Sequence, residues 1–383
     1  MAKKIVFFIA ATTITGLGCK KPFAPAIVAA NNSYLVVEGV INPGADSTII
    51  KLSRTVNVSS KITGNPLQGA AVIVESDQNA VYPLIEAGIG NYISTGLNLD
   101  KARNYRLRIK TSDNQEYLSD FVPVKITPPI DSIGFNVNPV NNSLQVYANT
   151  HDATNSTHYY RWDYDEAWQF QAKYISNYIS DGSQILVRQP SQNITICYTN
   201  DISSDVVLGS SSNLQQDNIY QNPIAQVPST SEKIEMKYSI LVRQYALTSA
   251  AYTFWTELRK NTEQLGSIFD AQPSQIESNI HCISNTSLPV IGYISVCTVP
   301  SKRVFISKNQ LPDEWRPTYP YSCPLDTVHV GSDLYINTIV LNPDLFIPID
   351  GFPPLTPSVY TTTSRECADC TIRGKKQPPP FWQ

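Results

Sequence analysis

The sequence has 383 residues, a length that suits two domains or one domain with a large elaboration. Only 16% of the residues are charged and the net charge is -3, which excludes an electrostatic case for binding nucleic acid. Tyrosine and proline number 21 and 27, against two methionines, and this composition favours a chain rich in strands and loops.

Residues 1–18 have the organisation of an export signal. Two lysines near the start are followed by an apolar run over residues 5–14, which is too short for a stable membrane-spanning helix. GLGC at 16–19 then resembles the lipobox at which a lipoprotein peptidase cuts, although Gly16 stands where leucine is usual. We therefore predict a signal peptide over 1–18 and a lipid anchor of palmitate-type chains on Cys19. The alternatives are a plain signal peptide with an incidental cysteine, or an N-terminal anchor.

Residues 19–33 are predicted to form a lipidated tether, because they are polar and carry proline and alanine. No acidic residue follows Cys19, so nothing favours retention at the inner membrane. We expect an anchor in the outer membrane of the cell envelope, facing either the periplasm or the cell surface. No later segment has eighteen uninterrupted apolar residues that would span a membrane.

Residues 34–127 are predicted to form a β-sandwich, because short apolar or alternating runs are separated by turn residues. The predicted strands are 34–41, 47–54, 70–75, 90–94, 104–110 and 117–124. The order "PLxGAxVxV", "GxY", "YxLxI", carried by 66–74, 90–92 and 105–109, resembles the prealbumin-like, carboxypeptidase-regulatory sandwich. Such modules bind or brace other domains. The alternative is any other small sandwich.

Residues 128–383 are predicted to form a second, larger β-rich domain, since a proline pair follows Thr127 and ends the first set of strands. We expect a fibronectin-like sandwich with long inserts and a cysteine-containing C-terminal segment. Its predicted strands are 133–137, 143–148, 159–168, 235–246, 280–283 and 290–299. Residues 203–226 read as a loop, and one helix is predicted from a Ser249 cap to Gly266. The aromatic end, 378–382, is predicted to dock as an extended segment.

Six cysteines remain once Cys19 is assigned to lipid, and an even number in an exported chain favours disulfides. The candidates are Cys197, Cys282, Cys297, Cys323, Cys367 and Cys370. The CxxC spacing of 367–370 is also found in redox motifs and in zinc sites, but no thioredoxin-like unit or second ligand pair accompanies it. We predict structural bridges at the C-terminal end that join Cys323 to the CxxC pair.

The aromatic strand over 159–168 suggests a binding surface formed by Trp162, Tyr164 and Trp168. Aromatic side chains offer a large contact area with a polar handle, which suits interfaces. Packing in a core or at an edge is the alternative interpretation of the same three residues.

Candidates for catalysis or metal binding are few. Asp163, Asp165 and Glu166 lie among these aromatic residues, as the carboxylates of a glycosidase do, although Asp163 and Asp165 share one strand face and are expected to be solvated. His151 and His158 flank an acidic residue, but their spacing matches no standard metal site, so we expect solvated loop residues. We assign no catalytic residue, metal or cofactor.

Several segments together resemble the family known as domain of unknown function 4249. They are YLVVEGV at 34–40, WxxLxxN at 255–261, GSIFDxxP at 266–273, VIGY at 290–293 and CADC at 367–370. PFW at 380–382 also agrees, although it lacks an acidic residue after the proline, and Gly374 stands alone where two glycines are usual.

The resemblance covers nearly all of the mature chain. It implies a lipoprotein of the outer membrane or cell surface, of a kind often encoded beside TonB-dependent outer-membrane receptors. We therefore expect a non-catalytic accessory role in nutrient uptake, with such a receptor as partner. A surface protein for adhesion or structure, and a glycan-acting envelope enzyme, are the alternatives.

Overall fold

The computed structural model describes residues 33–56, 64–263, 276–342 and 344–383, and strands are the dominant elements there. The predicted mainly β fold is therefore confirmed. The predicted signal peptide, Cys19 and tether residues 20–32 lie outside the described residues. Within the described ranges, no helix combines the length and the apolar character that a membrane crossing requires.

The strands follow one another in three groups along the chain. The first group is β1 (Leu35–Val40), β2 (Thr48–Arg54), β3 (Ala71–Ser76), β4 (Val81–Glu86), β5 (Asn91–Ser94), β6 (Asn104–Lys110), β7 (Glu116–Ser119) and β8 (Val122–Lys125). The second group is β9 (Ile130–Asn138), β10 (Ser143–His151), β11 (Tyr159–Gln171), β12 (Tyr178–Ser180), β13 (Ile185–Val187), β14 (Ile196–Ile202), β15 (Val207–Ser210), β16 (Asn218–Pro228) and β17 (Lys237–Ala246). The third group is β18 (Ile280–Cys282), β19 (Val290–Gly292), β20 (Val296–Cys297), β21 (Ser301–Ser307), β22 (Asp326–His329), β23 (Phe346–Phe352) and β24 (Val359–Ser364).

Two α-helices are described, α1 (Ser249–Glu263) and α2 (Arg365–Ala368), together with a π-helical segment over Tyr335–Val340. Helix α1 begins at Ser249, but the predicted cap is displaced by one residue, because Thr248 Oγ1 accepts the hydrogen bond from Ala251 N at 3.1 Å. Its predicted end at Gly266, and the family segment 266–273, lie outside the described residues.

The first sandwich is built from strands in the order β18-β7-β6-β3-β4-β5-β2-β1-β19. Alternation in β6 shows why these residues form strands: Tyr105, Leu107 and Ile109 are buried, and the residues between them are not. The buried side chains of all these strands form one hydrophobic core.

Strands β18–β20 return to this first sandwich from late in the chain. β18 pairs with β7, β19 with β1, and β20 with β8. Assigning all of 128–383 to the second domain is therefore wrong for residues 280–297. Ile280, Val290 and Val296 are buried, and their apolar surface is removed from water only in the core of the first sandwich.

The second sandwich packs a β16-β10-β9 sheet against a β14-β11-β17-β21 sheet. In the second of these sheets, β14 and β15 pair with different parts of β11. This two-sheet architecture is the one found in fibronectin-like domains. The prediction of a loop over 203–226 is wrong, because β15 and β16 lie there. Ile219, Ile224 and Val227 of β16 enter the core, while the polar residues of this segment cover its outer side.

A small C-terminal module caps the second sandwich. Its sheet has the order β22-β24-β23, and the β12–β13 hairpin packs beside it, with Asn177 N donating to Ile349 O at 3.1 Å. Its core is small: buried Ile347, Ile349 and Ala368 form the hydrophobic cluster.

The N-terminal end and the C-terminal module lie at opposite ends of this series of units. β1 runs from Leu35 to the junction between the sandwiches, where Cys297 N donates to Ile41 O at 3.0 Å. β11 starts at the junction, opposite Ala246, and ends at Gln171, beside the C-terminal module. Ser33, where the described chain begins, therefore lies far from that module.

Candidate functional site

The inner face of β11 buries the three aromatic residues that were predicted to form a binding surface. Trp162, Tyr164 and Trp168 are 0%, 5% and 8% exposed. They point toward the facing sheet because alternate residues of a strand share one side. Trp162 Nε1 also donates to buried Gln244 Oε1 at 2.9 Å. The predicted binding surface is therefore wrong, and these residues form the core.

The outer face of β11 carries Asp163 and Asp165, as predicted, but they are half-buried and paired rather than solvated. Arg243 on β17 donates from Nε to Asp163 at 2.6 Å, and from both Nη atoms to Asp165 at 2.7 Å. These hydrogen bonds, first of all the one to Asp165, raise the pKa of Arg243. The two carboxylates thus brace neighbouring strands by charge-assisted hydrogen bonds.

Glu166 lies on the other face of β11 and is buried. It accepts hydrogen bonds from the Tyr238 hydroxyl and from Lys233 Nζ. Burial, followed by the nearby Glu166 charge, raises the pKa of Tyr238 well above its usual value. Asp165 and Glu166 therefore do not meet in one exposed cleft, which a pair of glycosidase carboxylates must do.

The histidines occupy separate environments. His151 Nδ1 lies 2.7 Å from Asp131 Oδ2, and this hydrogen bond raises the pKa of His151, which is exposed. His158 Nδ1 lies 3.2 Å from the Ser211 hydroxyl. Within the described residues, no three histidine, cysteine or acidic side chains come together as a metal-binding group.

Two disulfides join the C-terminal segment to the rest of the molecule, as predicted for this end of the chain. Cys323 bonds to Cys367, and Cys370 bonds to Cys197 at the start of β14. Each cysteine of the CxxC motif therefore has its partner outside the motif, as in a structural bridge.

Cys282 and Cys297 are buried free thiols, so their prediction as disulfide candidates is wrong. Cys282 belongs to the first core, whereas Cys297 belongs to a smaller cluster beneath α1. Burial raises the pKa of Cys297 to about 12, which keeps this thiol protonated and unreactive at neutral pH.

The aromatic end docks on the outer face of the second sandwich, which confirms the prediction of a docked tail. The Trp382 ring contacts Tyr198 and Phe305 edge-on, with centroids 5.2 Å and 5.6 Å apart. Arg303 lies over the Phe381 ring at 3.6 Å. The end makes a turn, in which Trp382 N donates to Pro379 O, rather than an extended strand.

The far end of the C-terminal module exposes apolar side chains, which we call the distal patch: Val330, Leu334, Phe352 and Leu355. They are 46%, 53%, 73% and 96% exposed. Hydrogen bonds bring their segments together, since Val330 N donates to Ser358 O and Ser358 N donates to Phe352 O.

The module also exposes Leu325, Ile336, Leu341 and Leu345. Leu325 and Leu345 precede β22 and β23 at the end of the sheet where Asp326 pairs with Thr362 and Phe346 with Ser364, so they do not adjoin the distal patch, which lies at the Val359 end. The four side chains of the distal patch can bind an apolar partner surface, and within the described residues they are the best candidate site.

Sequence reasoning missed this surface. The available signal was FPPLTP at 352–357, a charge-free run in which proline stiffens exposed apolar residues. Periodicity cannot separate such a run from a short core segment, because only the folded chain shows whether anything covers it.

The chain has recognisable relatives at the level of a family. Residues 20–303 match the family model described as "Domain of unknown function (DUF4249)". None of the curated proteins matches the chain at a significant level.

Similar solved structures are remote. A two-domain fibronectin type-III segment of chicken tenascin is 13% identical with a TM-score of 0.16, and the match covers 56% of this chain and 91% of that one. For native E. coli alpha-2-macroglobulin the values are 10% identity, a TM-score of 0.19, and coverage of 58% and 14%. The Yersinia pseudotuberculosis adhesin InvE is 11% identical with a TM-score of 0.15, and the match covers 56% of this chain and 55% of that one. TM-scores this low do not establish a common fold, so the fold described above rests on the observed strand pairing.

Proposed function

The chain belongs to the DUF4249 family, and on this premise we propose that it is a lipid-anchored envelope protein that acts as the binding accessory of a TonB-dependent outer-membrane receptor. The single observation that carries the proposal is the distal patch, four exposed apolar side chains gathered at one end of the C-terminal module. It supports an interaction role, because contiguous apolar side chains in contact with water mark interaction sites.

The position of the patch supports a partner that stands beside the anchored protein. The predicted lipid site, Cys19, precedes the N-terminal end of the first sandwich, and the patch lies at the other end of the series of units. An anchored molecule would hold the patch away from its own attachment point. A large membrane protein with extramembrane loops could reach it there, and such a receptor is the partner that the family resemblance implies.

The construction of the module supports the same role. Two disulfides tether the module, and the exposed side chains of the distal patch lie outside its hydrophobic core. Disulfide tethers reduce the conformational entropy that a module loses on binding.

The proposal is tested by gentle detergent extraction of native membranes, purification through a C-terminal tag, and mass spectrometry of the eluted proteins. We expect a TonB-dependent receptor in near-equal amount. Leu355→Asp combined with Phe352→Asp should reduce its recovery at least about tenfold, since each buries a charge in an apolar contact.

The matched control is Val140→Asp, which changes an equally exposed apolar residue in the β9–β10 turn, outside the module. It should leave receptor recovery unchanged. Elution of the wild-type protein alone would contradict the accessory role, and binding to cells or matrix by the same preparation would then support the adhesion alternative.

A further inference from the structure

A second exposed apolar surface lies at the opposite end of the molecule, and we call it the N-terminal rim: Val56, Ile89 and Ile283. Ile89 is the most exposed of the three, at 63%, and it lies in the turn of the β4–β5 hairpin. The rim shares no residue with the distal patch.

Hydrogen bonds place these loops beside the point at which the described chain begins. Thr55, the neighbour of Val56, donates from its backbone N to Tyr34 O, and its side-chain Oγ1 accepts from Tyr34 N. Arg54 Nη1 donates to Ser33 O at 3.1 Å. On the hairpin, Gly90 O accepts from Leu52 N at 2.9 Å.

Ile283 reaches the same end through β7. Its backbone N donates to Glu116 O at 2.8 Å, and Glu116 pairs in register with Lys110 at the end of β6. Beyond that pair, Asp113 forms an ion pair of 3.1 Å with Arg54, which itself bonds to Ser33.

Paired charges limit the electrostatic cost of bringing this rim to an apolar surface. Arg54 and Asp113 neutralise one another, and Glu116 is paired with Arg108. Glu86, within the hairpin, accepts a hydrogen bond from Gly69 N at 2.9 Å. Lys110 is exposed and can face anionic headgroups.

From these observations we infer that the N-terminal rim rests on the lipid surface to which the chain is anchored. The inference rests on the proposed lipid anchor at Cys19. Residues 20–32 span at most about 45 Å when fully extended, and the average end-to-end distance of a flexible segment of this length is shorter. They end at Ser33, among the rim loops, so the first part of the folded chain that can meet the lipid is this rim.

The contact fits the chemistry of the interfacial zone of a bilayer. A branched apolar side chain in the turn of a tight hairpin can enter the headgroup region, and Ala87 N, which donates to Asn91 O within the hairpin, is already paired. Insertion would fix the orientation of the anchored molecule and present its far end outward.

The test uses the mature lipidated chain, carrying Ile89→Cys or Leu355→Cys, labelled with an environment-sensitive fluorophore. The free thiols Cys282 and Cys297 are buried and do not compete for the label under native conditions. The proteins are placed in phosphatidylethanolamine–phosphatidylglycerol vesicles, with and without brominated acyl chains. Leu355→Cys is the control, because residue 355 is also exposed but lies in the distal patch.

We expect a blue shift and quenching by brominated lipid for the label at residue 89, and neither for the label at residue 355. The acyl chains can be removed by cleavage within the tether. Vesicle binding should then be weak but measurable, and Ile89→Ser should lower it about tenfold.

The possible negative results distinguish a failure of the lipid anchor from a failure of the rim contact. Mass spectrometry that finds no acyl chain on Cys19 overturns both the lipid anchor and the rim contact. An acylated protein whose label at residue 89 is neither shifted nor quenched overturns the rim contact alone. A blue shift without quenching also overturns it, and indicates that a second protein copy covers the rim.

Discussion

At the scale of single residues, strand alternation and ion pairing decide what each candidate side chain does. Trp162 and Asp163 are neighbours in sequence, yet one is fully buried and the other is held by Arg243 on the outer face. The sequence supplied the alternation, so it was correct that Asp163 and Asp165 share a face. It could not supply Arg243, because the pairing of β11 with β17 brings together residues about 80 positions apart.

Glu75 shows the same pairing in the first sandwich and leads to a pH prediction. Burial raises the pKa of this carboxyl, but hydrogen bonds and charges from Arg108 and Arg106 outweigh burial and lower it overall. The folded chain therefore binds fewer protons here than the unfolded chain. The resulting stability is fully present above the unfolded pKa, about 4.3, and is lost as the pH falls through the lower folded pKa.

We expect Glu75→Gln to lower the free energy of unfolding by about 1–3 kcal/mol at pH 7, because two arginines lose their charged partner. Urea unfolding at pH 7 and at about pH 3 should show the difference from wild type shrinking at the lower pH. Glu38→Gln is the control, since its pair with Lys51 is exposed and should change stability little. An equal difference at both pH values would contradict the assignment.

At the scale of elements, close backbone approaches determine how the C-terminal segment attaches. The bond between Cys197 and Cys370 brings residues 370–375 onto β14, where Tyr198 and Lys375 form a β-bridge. Gly374 sits at the contact. A Cβ atom there would lie 2.7 Å from Tyr198 O and 2.8 Å from the Phe170 ring, closer than real Cβ contacts allow.

Gly374→Ala should therefore lower the free energy of unfolding by about 1–3 kcal/mol, as overpacking does. It should also loosen the end that holds Trp382. Urea unfolding measures the first effect, and the rate of digestion by a carboxypeptidase measures the second. Gly64→Ala is the control, because no atom lies within 4 Å of its added Cβ. Equal digestion rates for the two variants would contradict a role for Gly374 in docking the end.

At the scale of the whole molecule, the two sandwiches are not independent segments of the chain. Three strands of the first sandwich, β18–β20, come after the second sandwich has largely been completed. They bury apolar residues on both margins of the first sandwich, beside β1 and beside β7. The first sandwich consequently depends on sequence that lies more than a hundred residues further along the chain.

A fragment of residues 20–127 should therefore not fold cooperatively, because the edges of its core remain exposed to water. The measurement is a urea transition followed by far-UV circular dichroism, together with the dispersion of amide signals in an NMR spectrum. The matched control joins residues 276–300 to the same fragment through a flexible linker, and this chain should show a cooperative transition. A cooperative transition in the shorter fragment would show that the returning strands are dispensable.

The sequence by itself determined the mainly β class, most strand positions, the start of the one long helix and the family, because these depend on local periodicity, turn residues and short motifs. It also indicated that the C-terminal cysteines form bridges. The tertiary structure decided which cysteines stay free, that the aromatic side chains of β11 face inward, that β18–β20 rejoin the first sandwich, and that the side chains of the distal patch and the N-terminal rim are exposed. Each of these depends on contacts between residues far apart in the chain, and burial and strand pairing exist only once those residues have been brought together.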